Sequence, residues 1–278
     1  MPTVKTSAFL LGEATVMLTP YADETPVFEL TPEKHSVGMT RNVSLSQESD
    51  TIELRKGIQQ LLVDSKKSNV RSTISAEVYE YSARNLFYSL SMAKTPVDPK
   101  RGKLTATATG PQASITIESS PVPGEAASAI TAATDIPVGA TILLQVAGTG
   151  NDYVLPVRVT AATVAAGAEF TVSVEVPEGM EFPAGSHCWI VNEIPVGSTS
   201  EEDYFKLKVT GTLSNNERPM TIVFPKVRIT QGFQLNFDES NYTSMPFQFS
   251  PYFLTQSEIT GRLAEIGTSQ QCMVYSAA

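Results

Sequence analysis

The amino-acid sequence predicts a mainly β protein: a β-sheet domain with one packed helix, interrupted by a second, all-β domain. Three observations lead there. First, apolar and polar residues alternate with period two through much of the two ends of the 278-residue chain, as half-buried antiparallel strands require. Second, one segment between Tyr81 and Ala93 changes to a helical period. Third, charge is unevenly spread. Residues 1–105 carry 13 Lys/Arg against 12 Asp/Glu, residues 106–197 carry 1 against 9, and residues 198–278 carry 6 against 8. The middle block has Arg158 as its one cation and is rich in Ala, Thr, Val, Gly and Pro. A shift this sharp reads as a separate domain. The two outer blocks resemble each other in composition. Residues 1–105 and 198–278 therefore read as one discontinuous domain with residues 106–197 inserted into it. Lys100-Arg101-Gly102 and the stretch Pro195 to Ser200 read as the linkers.

The elements follow in order. Val37, Met39, Val43 and Leu45 alternate with polar neighbours, and so do Val70, Ile74, Ala76 and Val78. Each set predicts a strand. Ala83, Leu86, Phe87 and Leu90 fall at i, i+3, i+4 and i+7 and predict one helix face, with Arg84, Asn85, Ser89 and Ser91 off it. Lys94 before Thr95-Pro96 is a stop signal. In the insert, strands are expected at Ala113–Ile117, Thr141–Val146, Tyr153–Val159, Glu169–Val176 and His187–Asn192. Turn-forming Pro/Gly clusters separate them. About 90 residues with short strands at this spacing suggest an immunoglobulin-like sandwich, without the Cys…Trp…Cys pattern of antibody domains. Beyond the insert, Phe205, Leu207, Val209 and Leu213 form another alternating set. Asn215-Asn216 then reads as a hairpin turn before Thr221-Ile222-Val223-Phe224. Phe233, Leu235 and Phe237 alternate once more.

Composition narrows the function classes. Net charge is −9 and the sequence pI is about 4.8, the opposite of the basic footprint a phosphate-gripping nucleic-acid reader needs. Two cysteines, Cys188 and Cys272, fit no metal or redox spacing. The apolar run Ala8 to Leu11 is broken at once by Gly12-Glu13, so the start is not read as a secretory signal. No apolar stretch approaches the ~18 residues of a membrane span. A soluble protein made in the cytoplasm is expected. Gly148-Thr149-Gly150 lacks a third glycine and a following helix, and reads as a turn. His187 and Cys188 are adjacent on a strand and so face opposite ways, which separates them as metal ligands. His35 reads as a surface-loop residue, and Glu201-Glu202-Asp203 as a solvated acidic linker. No G-x-S-x-G, P-loop or H-E-x-x-H occurs. Neither an enzyme activity nor a cofactor nor a metal is expected.

The segment Ser46 to Lys67 stands out. It reads as a long connection between two strands, too long for a tight hairpin. Its ends, Gln47-Glu48-Ser49-Asp50 and Ser65-Lys66-Lys67-Ser68, are polar and of opposite sign. Between them lie Ile52, Leu54, Arg55, Lys56, Gly57, Ile58, Leu61 and Val63. Apolar residues in a connection need cover. Either the segment packs on its own domain, or it is an arm that docks on a neighbouring subunit. In the second case the opposite charges would set the register.

Local motifs add a resemblance. Ser7-Ala8-Phe9-Leu10-Leu11-Gly12 leads into an expected strand at Glu13–Leu18, and Val37-Gly38 leads through Val43-Ser44-Leu45 to Leu54-Arg55-Lys56-Gly57. Glu77-Val78-Tyr79-Glu80-Tyr81-Ser82 enters the helix. Ile229-Thr230-Gln231-Gly232-Phe233 and Met245-Pro246-Phe247-Gln248-Phe249 close the outer domain. Over roughly residues 7–100 and 200–255 this resembles the major tail tube proteins of long-tailed bacteriophages. The insert departs from the minimal tube fold. The resemblance implies a tail-tube β-sandwich or barrel domain whose copies form hexameric rings, with sheets joined edge to edge. The rings would stack into a tube through which phage DNA leaves the virion. It also implies the arm as the lock between rings. Implied partners are other copies of the chain and further tail proteins (terminator, baseplate or tip, or sheath). DNA would pass without specific binding, and no membrane insertion by this chain is implied. The implied location is the virion tail. Two other readings stand beside it: the inner-tube subunit of a related contractile injection system, and a monomeric immunoglobulin-like adhesion or glycan-binding protein.

Overall fold

The structure is a computed structural model that describes residues 14–56, 61–146, 154–197, 203–213, 218–234 and 243–277. The opening stretch forms β1 (Ala14–Pro20), the one-turn α1 (Pro32–His35), β2 (Thr40–Lys56), β3 (Leu61–Val78) and α2 (Ala83–Ser89). Next come β4 (Lys100–Leu104), β5 (Ala108–Thr109), β6 (Gln112–Ser119), β7 (Thr141–Gln145), β8 (Val154–Arg158) and β9 (Val164–Ala166). They are followed by β10 (Glu169–Val176), β11 (Glu181–Phe182) and β12 (His187–Val191). The chain ends with β13 (Phe205–Leu213), β14 (Arg218–Gln231), β15 (Met245–Pro251) and β16 (Met273–Ser276). The protein is mainly β, and its sheets are antiparallel.

The chain divides into two compact units, Met1–Thr95 with Val196–Ala278, and Pro96–Pro195. The first boundary therefore precedes residue 105, where the charge count puts it. The reason is β4. Its basic residues read as a linker, yet Lys100–Lys103 pair with β12, and Gly102–Leu104 with β6, inside the second unit. Backbone pairing, not charge, assigns the segment.

In the first unit the sheet order is β1-β13-β14-β15-β3-β2, with β16 also on β14. Alternation places Val16, Leu18, Ile74, Ala76, Val78, Leu207, Phe247 and Phe249 in one buried core. The sheet curls toward closure. Val37 N–H donates to Val16 C=O at 3.0 Å, and Thr40 Oγ1 donates to Ala14 C=O at 2.7 Å. A second, smaller core of Met17, Val27, Leu30, Val223 and Ile266 lies apart from the first. In β14 the two cores meet at neighbouring residues, Val223 and Phe224, where a bulge beside Pro225 shifts the register between Leu207↔Phe224 and Phe205↔Val227. The expected strand through Phe233 is not formed by its described residues. β14 ends at Gln231, and at Gly232 the chain passes so close to α2 that a Cβ there would sit 2.9 Å from the backbone of Ser89.

The helix is shorter than its periodicity predicts and is rolled toward its polar side. Ser82 Oγ accepts the Asn85 N–H at 3.2 Å as an N-cap. The buried residues are Asn85, Phe87, Tyr88 and Ser89, rather than the face of Ala83, Leu86, Phe87 and Leu90. The Asn85 amide causes this roll. Its amino group donates to Val37 C=O at 2.8 Å and to Glu80 C=O at 2.9 Å, so both of its N–H donors are satisfied inside. The chain then turns away through Ser91, at φ 56°, well before Lys94. Ser91 Oγ anchors the turn by donating to Ile229 C=O at 2.6 Å. His35 lies in α1, not in a loop.

The second unit is a single hydrogen-bonded path, β8-β7-β12-β4-β6-β10-β9, beside the small pair β11-β5. The path rolls over its own core: past β8, Thr160 N–H donates to Ser173 C=O of β10 at 2.9 Å. Inside lie Ile117, Ile142, Leu144, Val172, Val174 and Phe182.

Burial sets a testable contrast. Phe247→Ala removes a fully buried ring from the first core and costs about 3–5 kcal/mol of unfolding free energy. Leu54→Ala, at an exposed strand position, costs less than about 0.5 kcal/mol. Urea unfolding followed by circular dichroism measures both.

Candidate assembly surface

The arm is a hairpin, which corrects its expected form as an irregular connection. β2 and β3 remain paired from Thr40↔Val78 to Lys56↔Leu61, so strand runs through the described parts of the segment, residues 46–56 and 61–67. What joins them is residues 57–60, which lie outside the described residues. The strand character was hidden because it leaves no apolar signature. From Ser44 to Lys56 every residue of β2 is exposed, so no face packs on a core and none needs to be apolar. Pairing rests instead on backbone hydrogen bonds and on cross-strand polar partners. Glu48 faces Arg71, Thr51 faces Lys67, and Asn69 Nδ2 donates to Asp50 Oδ2 at 3.2 Å. Asn69 itself, at φ 48°, sits at the register shift after Glu48.

The candidate residues fall as follows. Ile52, Leu54, Arg55 and Lys56 lie on β2, and Leu61 and Val63 on β3. Gly57 and Ile58 lie outside the described residues. Alternation puts Ile52 and Leu54 on one side of the strand and Glu53 and Arg55 on the other. The Arg55–Glu53 ion pair, Nη2 to Oε2 at 2.6 Å, occupies that second side. Both of its groups are solvated, so the pair contributes at most about 1 kcal/mol. Ile52 is 65% exposed, Leu54 60%, Leu62 57% and Val63 57%. Four large apolar side chains thus stand uncovered on one hairpin. A projecting two-stranded ribbon gains little from exposing them to water, so this is the chemistry of a docking element. Leu62 was not singled out by sequence reasoning. Its partner position opposite Arg55, across a second register shift, depends on strand pairing.

A basic cluster on the first unit was also missed. Lys206 and Lys208 alternate on β13, away from the core residues Phe205 and Leu207. Lys206 Nζ donates to Thr25 C=O at 3.0 Å and also to Asp23 C=O. Lys208 Nζ donates to Phe28 C=O at 2.8 Å and Leu30 C=O at 2.9 Å. On β14, Lys226 Nζ pairs with Glu258 Oε1 at 2.7 Å and lies 4.5 Å from the Tyr204 ring centroid, and Arg228 lies 4.7 Å from the same ring. Arg262 sits 4.2 Å over Phe28. These cations hold two outer segments, residues 23–30 and 255–262, to the sheet. Burial lowers the Lys206 and Lys208 pKa values, with Arg262 adding to the effect at Lys208. Burial and then Glu258 push the Tyr21 hydroxyl up to about 12. At Glu258 burial acts upward, but the Lys226 ammonium and the Thr255 N–H and hydroxyl outweigh it and hold the carboxyl at about 2. Alternating lysines on neighbouring strands were the available signal.

In the second unit the side chains of His187 and Cys188 part as adjacent strand residues do. Cys188 is buried in the core, and burial pushes its thiol up to about 12. His187 meets the Arg101 guanidinium at 3.1 Å, and burial followed by that cation lowers its pKa. Among the described residues no three His, Cys, Asp or Glu side chains gather as a metal site, and no helix is long and apolar enough to cross a membrane. Gly148-Thr149-Gly150, Glu201-Glu202 and Asn215-Asn216 lie outside the described residues. No protein-family model matches the chain, and no curated protein matches it in sequence.

The Lys226–Glu258 pair gives a pH signature with a definite sign. A carboxyl held below its ordinary value of 4.5 contributes stability that is fully present above that value. The contribution is lost as pH falls from there through about 2. Lys226→Met is expected to cost about 2 kcal/mol near neutral pH. It is also expected to flatten the stability profile between pH 4.5 and about 2. Unfolding titrations at stepped pH read both effects.

Proposed function

We propose that this chain is a structural subunit of a phage tail tube. Six copies close a ring, and rings stack into the conduit for DNA ejection. The observation that carries the reading is the β2–β3 hairpin, extended beyond the core with Ile52, Leu54, Leu62 and Val63 uncovered. An isolated subunit has no use for such an element, whereas a neighbouring subunit gives it cover. Two further features support it. β2 ends the sheet path, and pairing its free edge with another copy would remove its unpaired backbone groups. On β3 and β15, the side away from the core presents Thr73, Ser75, Glu77, Pro246, Gln248 and Ser250, with no lysine among them. A lining of hydroxyls, an amide and a carboxylate offers DNA little counterion-release affinity, so a polyanion would slide without being gripped. The second unit, which we read as immunoglobulin-like, would decorate the tube, its acidity aiding solubility.

The test is negative-stain electron microscopy of purified protein across a concentration series. Rings or hollow tubes are expected. Ile52→Ser with Leu54→Ser in one chain is expected to abolish them while leaving the thermal midpoint within about 2 °C, since both positions are exposed. Monomers at every concentration count against the reading.

A further inference from the structure

β3 holds one edge of β2 along the whole hairpin, and among the described residues no strand pairs with the other edge. Edge strands are commonly kept from pairing by a bulge that twists them away, or by charge. The bulges of this hairpin are on the wrong strand for that. Both register shifts beyond Ser44 place the extra residue on β3, where the partners step from Arg71 to Ser68 and from Asp64 to Leu62. β2 therefore alternates unbroken from Ser44 to Lys56, with every residue exposed. Its charges are ordered along the strand. Glu48 and Asp50 come first and Arg55 and Lys56 last, with Glu53 between them in its ion pair to Arg55. Such a strand repels a parallel copy of itself and suits an antiparallel one.

We infer that two copies of this chain pair β2 to β2, antiparallel, with Ile52 opposite Ile52 of the second copy on a two-fold axis. Residues facing each other then lie on the same side of the joined sheet. On one side Glu48 meets Lys56 of the second copy and Asp50 meets Leu54; on the other, Ser49 meets Arg55 and Thr51 meets Glu53. No like charges are opposed. Centring the pair on Glu53 would set that carboxylate against itself, and centring it on Thr51 would oppose no unlike charges. Glu48 stands between Arg71 of its own hairpin and Lys56 of the second copy, so it has a cation on both sides. The two Ile52 side chains meet at the axis, and each Leu54 is the diagonal neighbour of the other copy's Ile52. Lys66 and Asp64, across from Ile52 and Leu54 in their own hairpin, flank this apolar cluster. A two-stranded ribbon without a core is marginal in water, and the pairing makes it four strands with a shared apolar centre. The contact is isologous and closes at two copies, so it builds no ring and does not rest on the tube reading. It is the form in which the free subunit covers its own arm.

Cross-linking and sedimentation velocity test this on the full chain, at positions whose exposure leaves folding unaffected. Ile52→Cys puts a thiol on the axis, where facing Cα atoms of an antiparallel pair are within disulfide range. Oxidation with diamide is expected to give a covalent dimer. Leu54→Cys lies about 13 Å along the strand from its own copy and is expected to stay single on a denaturing gel. So is the wild-type chain, whose Cys188 is buried and Cys272 half-buried. Glu48→Lys and Lys56→Glu are each expected to weaken the dimer by about tenfold, since each opposes like charges twice. Both exchanges in one chain are expected to restore it. Equal cross-linking of Ile52→Cys and Leu54→Cys, or a double exchange that fails to restore the dimer, overturns the register. A wild-type monomer at every concentration, with no cross-link through Ile52→Cys, overturns the dimer. Rings seen by electron microscopy without that cross-link leave the tube reading standing and this contact wrong. The cross-link without rings supports this contact and counts against the tube.

Discussion

The first unit depends on the pairing of β14. Its fourteen residues bond to β13 along one side, and to β16 and then β15 along the other. Side chains on this strand serve both cores. Phe224, Val227 and Ile229 enter the main core, Val223 enters the smaller one, and Lys226 and Arg228 face tyrosines and Glu258. A strand can do this because its side chains alternate, and because the bulge beside Pro225 changes the alternation where the second core begins. Without that shift, Val223 and Phe224 would still face opposite ways, but Val227 and Ile229 would leave the core that Phe224 occupies.

Buried polar groups fix the rest of the unit. The lysines of β13 are spent on backbone carbonyls of residues 23–30, the Asn85 amide on carbonyls of Val37 and Glu80, and the Ser91 hydroxyl on Ile229. Each replaces water that a backbone carbonyl would lose on packing. This accounts for a helix that buries Asn85 and Ser89 although its apolar period points elsewhere. Hydrogen-bond demand overrides amphipathic pattern where the helix is only seven residues long.

The hairpin obeys a different constraint. Inside the sheet, period two is enforced by a core on one side. Beyond Ser44 there is no core, so the same backbone geometry continues with Ser, Gln, Glu, Asp and Thr on both sides. Pattern reading depends on contrast between faces. It saw the strands flanking Ser46 to Lys67 and lost them where contrast vanished. It did register Ile52, Leu54 and Val63, because apolar residues amid charge are visible in any conformation.

By itself the sequence determined that the protein is mainly β, that an acidic all-β block interrupts a strand-rich outer part, and that a helix lies between Tyr81 and Ala93. Those features come from composition and short-range periodicity, which local physics reads directly. Tertiary structure alone decided that β4 belongs to the inserted unit, that Asn85 faces inward, and that Ser46 to Lys67 is a paired ribbon. Each of these depends on partners distant in the chain, Cys188 for Gly102, Val37 for Asn85, Lys66 for Ile52. No local pattern encodes which distant backbone will satisfy a hydrogen bond, and that choice gives this chain its architecture.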